Sequence, residues 1–160
     1  MTEEEAQAWL RAEYDVSRET WQQLETFDAM LRDEMQRQNL ISKASADSLW
    51  SRHIVDSAQL LRYAPPPEAG KVWLDLGTGA GFPGIIIAIL TPYQVHMVES
   101  RKRRAEFLNQ AVEQTGIGDH ATIIADRLEN MESFPADVIS ARAFAPLDRL
   151  IALSHRFSTE

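Results

Sequence analysis

Two spacings of apolar residues divide the chain. In the first sixty or so positions they recur at steps of three or four. Trp21, Leu24, Phe27 (sharing its step with Asp28), Leu31 and Met35 form one stripe, which predicts an amphipathic helix with a core-facing side. Ser17 stands ahead of it as a candidate N-cap. Trp9 and Leu10 predict a shorter helix before it. Leu49, Trp50, Ile54, Leu60 and Leu61 predict a third over about 47–63, with less regular spacing.

From residue 71 short apolar runs replace the stripe. Segments 71–76, 95–99, 121–125 and 137–141 predict four strands. Segments 85–90, 102–115 and 146–157 predict helices, the second ended by Gly116 and Gly118 and the last opened by Pro146. Alternating strands and helices predict an α/β fold with a parallel, doubly wound, Rossmann-like sheet. Pro65-Pro66-Pro67 cannot continue a helix and reads as a linker. It separates an N-terminal helical region, 1–66, from a Rossmann-like domain, 67–160.

Composition narrows the function. The 160 residues carry 24 acidic and 16 basic side chains, net −8, and no cysteine. Disulfides, iron–sulfur clusters and cysteine zinc sites are excluded. His96, His120 and His155 share no ligand spacing, so no metal site is expected. No apolar run reaches the ~18 residues of a membrane span, and the acidic start, residues 1–5, does not resemble a secretory signal. A cytoplasmic protein is expected. The charge is uneven: residues 1–70 hold 13 acidic and 7 basic groups, residues 71–160 hold 11 and 9. This balance argues against nucleic-acid binding by bulk charge alone.

The sharpest local feature is Leu74-Asp75-Leu76-Gly77-Thr78-Gly79-Ala80-Gly81-Phe82-Pro83-Gly84. Glycines there allow a tight turn and a close approach of backbone to ligand at the carboxyl end of the first strand. Gly79-x-Gly81-x-x-Gly84 matches the dinucleotide fingerprint. Glu99, at the end of the second strand, could hold ribose hydroxyls of NAD or of S-adenosyl-L-methionine. Asp75, immediately before the turn, would repel a pyrophosphate and attract an ammonium, directly or through water, so the pattern suits an aminocarboxylate sulfonium better. Asp126, after the third strand, either reaches an adenine or is a solvated loop acid. Arg101-Lys102-Arg103-Arg104 opposes the macrodipole of the helix it opens; it is either a solvated face or a phosphate contact. Phe82 and Phe144 either stack on a base or pack at the core or rim of the pocket.

These pieces together resemble the RsmG/GidB family of bacterial 16S ribosomal RNA methyltransferases. The loop from Leu74 to Ile85, the string Trp50-Ser51-Arg52-His53-Ile54-Val55-Asp56-Ser57, Asn39-Leu40, the segment from Arg101 to Leu108, Asp126-Arg127-Leu128-Glu129 and Ser140-Ala141-Arg142-Ala143-Phe144 carry the likeness. The resemblance implies a class I methyltransferase that transfers the methyl of S-adenosyl-L-methionine to guanine N7 in the 530 loop of 16S rRNA, free or in a small-subunit precursor. It implies that Gly77, Gly79 and Gly81, with Thr78, Ala80 and Phe82 between and after them, line the methionine end. Asp75 would lie behind the ammonium. Glu99 and the adjoining Ser100 would lie at the ribose. Ala125, Asp126, Arg127, Leu128 and Glu129 would border the adenine. Arg127 and Arg142 would stand between cofactor and RNA and, with His53, be the candidate catalytic residues; His53 with Asp56 would close over the site.

Family members are longer and finish the sheet with further strands, so this sheet reads as truncated after its fourth. A fragment that binds cofactor without activity is the alternative, and an NAD-dependent oxidoreductase a remoter one. An exposed fourth strand would be an edge open to pairing between chains. Guanine N7 carries a lone pair and no proton, so its methylation needs no general base, consistent with the lack of a catalytic dyad. Amino-methylating enzymes often carry an Asn/Asp-Pro-Pro-Tyr loop after the fourth strand. Here that loop reads Ala141-Arg142-Ala143-Phe144-Ala145-Pro146, which disfavours an amine target.

Overall fold

Among the described residues, four parallel strands, β1 (Val72–Leu76), β2 (Gln94–Val98), β3 (Ala121–Ile124) and β4 (Val138–Ala141), form one sheet in the order β3-β2-β1-β4. The computed structural model describes residues 1–142 and 147–159. Among the described residues seven α-helices accompany the strands: α1 (Glu3–Tyr14), α2 (Arg18–Glu34), α3 (Lys43–Ala46), α4 (Val55–Gln59), α5 (Gly84–Leu90), α6 (Lys102–Thr115) and α7 (Leu147–Ser154). The expected α/β Rossmann-like sheet is present, with β1 and β2 at its centre and β3 and β4 at its edges. Register aligns Asp75 with Met97 on one side and Ser140 on the other. Phe144 and Pro146 lie outside the described residues, and so does the expected helix start at Pro146.

Local chemistry accounts for the helix ends. Thr2 and Glu5 form a reciprocal capping box on α1, and three glutamates in its first turn suit the macrodipole. Ser17 caps α2 through the Thr20 N–H. Gly116 closes α6 in the left-handed conformation, φ 72°. The stripe on α2 is core: Leu24, Phe27 and Leu31 are fully buried, and Trp21 stacks on Trp50 at 5.0 Å. One apolar cluster joins Leu10, Phe27 and Leu49 from the N-terminal helices to Trp73, Ile85 and Leu108 around the sheet.

The third expected helix differs from a regular one. Residues Trp50–Ile54 form a π-helical turn, α4 continues it, and a 3₁₀ turn, Leu60–Tyr63, ends it. The wide turn is capped from far away in sequence: Glu3 accepts the N–H groups of Trp50 and Ser51, each at 2.9 Å. Among the described residues, no helix is long and apolar enough to cross a membrane.

Candidate functional site

The carboxyl ends of β1 and β2 open onto a cleft of about 1030 Å³. The glycine turn after β1 forms its floor. Gly77 and Gly79 adopt positive φ, 64° and 60°, a region that carries little penalty for glycine. A side chain on Gly79 would find only the Gly77 carbonyl, 4.0 Å away, so the backbone faces open space there. Gly81 differs: a Cβ would stand 2.7 Å from Ile85 Cγ1. Its smallness serves packing, and it does not line the cleft.

Glu99 follows β2 and is 5% exposed. Its Oε2 accepts the Gly79 N–H at 3.0 Å, and its Oε1 accepts the Arg101 N–H at 3.0 Å. The carboxylate thereby ties the glycine turn to the start of α6. Each oxygen retains a lone pair directed elsewhere, enough to receive the hydroxyls of a ribose.

Asp75 behaves differently from the sequence expectation. It is fully buried and does not line the cleft. Its Oδ2 accepts the Thr78 hydroxyl at 2.5 Å and the Gly84 N–H at 3.0 Å. Its Oδ1 accepts the Ser140 hydroxyl at 3.1 Å, while Ser140 Oγ accepts the Trp73 indole N–H at 2.8 Å. Burial pushes its carboxyl up to about 7, against the pull of these donors and of Arg142. Asp75 therefore braces the turn from behind. Of the two expected routes to a ligand ammonium, direct contact is closed by this burial, which leaves Asp75 behind the turn with the first N–H of α5 as one of its donors.

The third wall comes from the segment after β3. Asp126, Arg127, Leu128 and Glu129 all line the cleft. Asp126 is exposed, and its Oδ1 accepts the Arg127 N–H at 2.7 Å and the Asn130 amide at 3.0 Å, which hold its carboxyl below the ordinary value. Ala125 lies beside this wall without lining the cleft.

The mouth is built from both halves of the chain. His53 stacks on Phe82 at 5.0 Å and 28°, and Phe82 in turn meets the edge of Phe27 at 5.6 Å. Phe82 is thus a packing residue at the floor. His53 Nδ1 lies 3.5 Å from both terminal nitrogens of Arg142. A guanidinium can only donate, so the neutral imidazole carries its proton on Nε2, a buried atom with no partner among the described residues. Burial first, then Arg142 and Arg52, lower the His53 pKa, with Asp56 opposing them. Asp56 is exposed and does not line the cleft.

Most of the expected site converges here: Gly77, Thr78, Gly79, Ala80 and Phe82 from the turn, Glu99 and Ser100 from the end of β2, and His53, Arg127 and Arg142 at the mouth. Val98, Asn130, Arg149, Leu40 and Ile41 line the cleft as well, beyond the residues expected from the sequence. Leu40-Ile41, an apolar pair after a polar run, was an available signal. Arg149, paired with Glu129 at 3.7 Å, comes from α7 and had none.

Comparison with known proteins agrees with this architecture. The model of the family GidB, rRNA small subunit methyltransferase G, matches residues 20–160. The ribosomal RNA small subunit methyltransferase G of Rhizorhabdus wittichii is 53% identical over 163 aligned positions, covering 99% of this chain and 72% of that protein. The Zymomonas mobilis protein of the same name is 52% identical, with 99% and 73% covered. Among solved structures, a geranyl diphosphate methyltransferase in complex with SAM shares the fold with a TM-score of 0.58 at 21% identity, covering 66% of this chain and 44% of that one. The C-terminal domain of precorrin-6Y C5,15-methyltransferase from Rhodobacter capsulatus does so with a TM-score of 0.53 at 14% identity, covering 65% and 56%. The Rossmann-like sheet, its glycine turn and the family match together establish that this chain belongs to the GidB family of small-subunit ribosomal RNA methyltransferases.

Proposed function

We propose that the chain transfers the methyl group of S-adenosyl-L-methionine to N7 of a guanine in the 530 loop of 16S rRNA. The observation that carries the reading is the junction of Gly79 and Glu99: an open, left-handed glycine backbone bonded to a carboxylate at the rim of a nucleoside-sized cleft. The donor set fits the cofactor. Gly77 to Ala80 receive the methionine end, Glu99 takes the ribose hydroxyls, and Asp126 to Glu129 border the adenine. Bound there, S-adenosyl-L-methionine would supply an electrophilic methyl group with a neutral thioether as leaving group, and its transfer to the N7 lone pair would need no proton moved.

The protein's share is alignment. Orienting two reactants can remove roughly 7–11 kcal/mol of barrier, and no general base is required at an unprotonated nitrogen. Arg142, held beside the neutral His53, meets the guanine O6 edge or a phosphate. Arg127 positions RNA against cofactor. The His53 imidazole, stacked on Phe82, closes the mouth. The substrate is free 16S rRNA or a small-subunit precursor, and the site of action is the cytoplasm.

Two measurements test the reading. Calorimetric titration is expected to show binding of S-adenosyl-L-methionine and none of NAD; the reverse would point to an oxidoreductase. Incubation with small-subunit rRNA followed by nucleoside digestion and mass spectrometry is expected to yield 7-methylguanosine. Cofactor binding without methyl transfer would identify a non-catalytic fragment, and a methylated exocyclic amine would overturn the N7 assignment.

A further inference from the structure

We infer that a second groove, between the C-terminal end of α2 and the first turn of α6, holds the phosphodiester backbone of the RNA beside the base that enters the cofactor cleft. The inference rests on the methyltransferase reading and extends it to the path of the RNA strand. Residues 35–39 form one wall and residues 101–104 the other, enclosing about 640 Å³. Arg101 and Arg104 line both this groove and the main cleft, so the two are continuous.

The charge arrangement points to a polyanion. Arg101, Lys102, Arg103 and Arg104 are consecutive at the start of α6, whose first turn contains no acid. Each stands against the helix macrodipole. Among the described residues none of the four is in an ion pair, although the chain has 24 acidic side chains for 16 basic ones. The nearby acids Asp33 and Glu34 are instead engaged by Arg37, at 2.9 and 3.3 Å.

The groove is held in shape by neutral partners. Arg103 donates to the Arg37 carbonyl at 2.9 Å, Arg104 to the Asn39 carbonyl at 3.1 Å, and the Gln38 amide to the Arg103 carbonyl at 3.0 Å. A carbonyl orients a guanidinium without cancelling its charge. Each guanidinium has five N–H donors, so these bonds leave several for phosphate oxygens. Lys102 is exposed, and its ammonium makes no hydrogen bond or ion pair within the described residues. Fixed cations of this kind recognise a strand of regularly spaced phosphates and release its counterions.

The test uses the full chain, a fluorescent transcript of small-subunit rRNA and a series of KCl concentrations, with Lys102→Gln and Arg103→Gln as variants. Neither residue lines the cofactor cleft. Each lost phosphate contact is expected to lower the slope of log K against log salt by about 0.7 for a single strand and to weaken RNA binding several-fold. The calorimetric affinity for S-adenosyl-L-methionine stays at the parent value. Lys102→Gln breaks no bond of the fold, so its result stands even where Arg103→Gln proves unstable. An unchanged slope and affinity in Lys102→Gln would overturn the proposal, as would polyglutamate binding as tightly as RNA with the same salt dependence. Failure of the parent chain to take up the cofactor would instead sink the methyltransferase reading.

Discussion

Gly79 donates its backbone N–H to Glu99 Oε2 at 3.0 Å, joining the glycine turn to the end of the neighbouring strand across 20 positions of sequence. The other oxygen of the same carboxylate receives the Arg101 N–H. Glu99→Gln preserves the shape but offers one oxygen where two are used, so one N–H faces an amide donor. Hydrogen bonds to a charged group contribute about 1.5–3 kcal/mol. Loss of one, together with a ribose contact, is expected to weaken S-adenosyl-L-methionine binding at least tenfold. Calorimetric titration of the variant checks this, and an unchanged affinity would remove Glu99 from the ribose role.

The glycines of the turn separate into two kinds. A methyl on Gly84 would sit 2.5 Å from Met97 Sδ and 2.9 Å from Asp75 Oδ2, inside the packed core. Overpacking of that kind costs about 1–3 kcal/mol, so Gly84→Ala is expected to lower the urea midpoint. A methyl on Gly79 meets open cleft, and only its φ of 60° is unfavourable. Gly79→Ala is expected to lose less stability, about 1 kcal/mol, and to lose cofactor affinity more severely than its stability explains. Unfolding curves and ligand titrations on both variants distinguish the two behaviours.

Glu3 grips the π-helical turn that carries His53, through the N–H groups of Trp50 and Ser51. Burial alone would raise its pKa, but those donors outweigh it and hold the carboxyl below the ordinary value. The family model begins at residue 20, so α1 reaches the site region from outside the matched segment. Glu3→Ala strands two partly buried N–H groups at a cost of about 1–3 kcal/mol, and Glu3→Gln is expected to retain part of that stability. Methyl transfer is expected to fall with Glu3→Ala while cofactor affinity holds, because the change reaches the mouth through His53 and spares the glycine turn. Parallel measurement of the melting temperature, the cofactor Kd and the transfer rate checks the chain of effects.

The sheet and α6 were legible because their signals are local. Strand boundaries agree within about a residue or two, and the helix over 102–115 is observed as α6. The uneven spacing of Leu49, Trp50, Ile54, Leu60 and Leu61 did carry the change from π to α to 3₁₀, but spacing alone does not assign those turns. Most of the candidate site could be named from the glycine turn and strand ends, since topology delivers strand ends to one edge of the sheet. What could not be read was which way a carboxylate faces. Asp75 lies one residue before the end of β1 and Glu99 one residue after the end of β2, yet Asp75 is sealed behind the turn and Glu99 stands at the rim. The Glu3 clamp spans 47 positions, and no local pattern announces it.

The buried carboxyl of Asp75 makes a final, signed prediction about pH. It titrates near 7 in the folded chain against an ordinary value of 3.8. A raised folded pKa means that the folded state binds the proton more tightly, so this group's contribution to stability is full below the unfolded value. It is lost as pH rises through the folded value, with a slope of at most about 1.4 kcal/mol per pH unit between roughly pH 4 and 7. Asp75→Asn imitates the protonated acid: its oxygen can accept from Thr78 and Gly84, and its amide can donate to Ser140 Oγ. Urea midpoints are therefore expected to show the parent losing stability relative to the variant across that window, with the variant at least as stable at pH 8. Parallel curves for the two proteins would show instead that the hydrogen bonds from Thr78, Gly84 and Ser140 keep Asp75 ionised throughout, and that burial is the weaker of the two opposing influences.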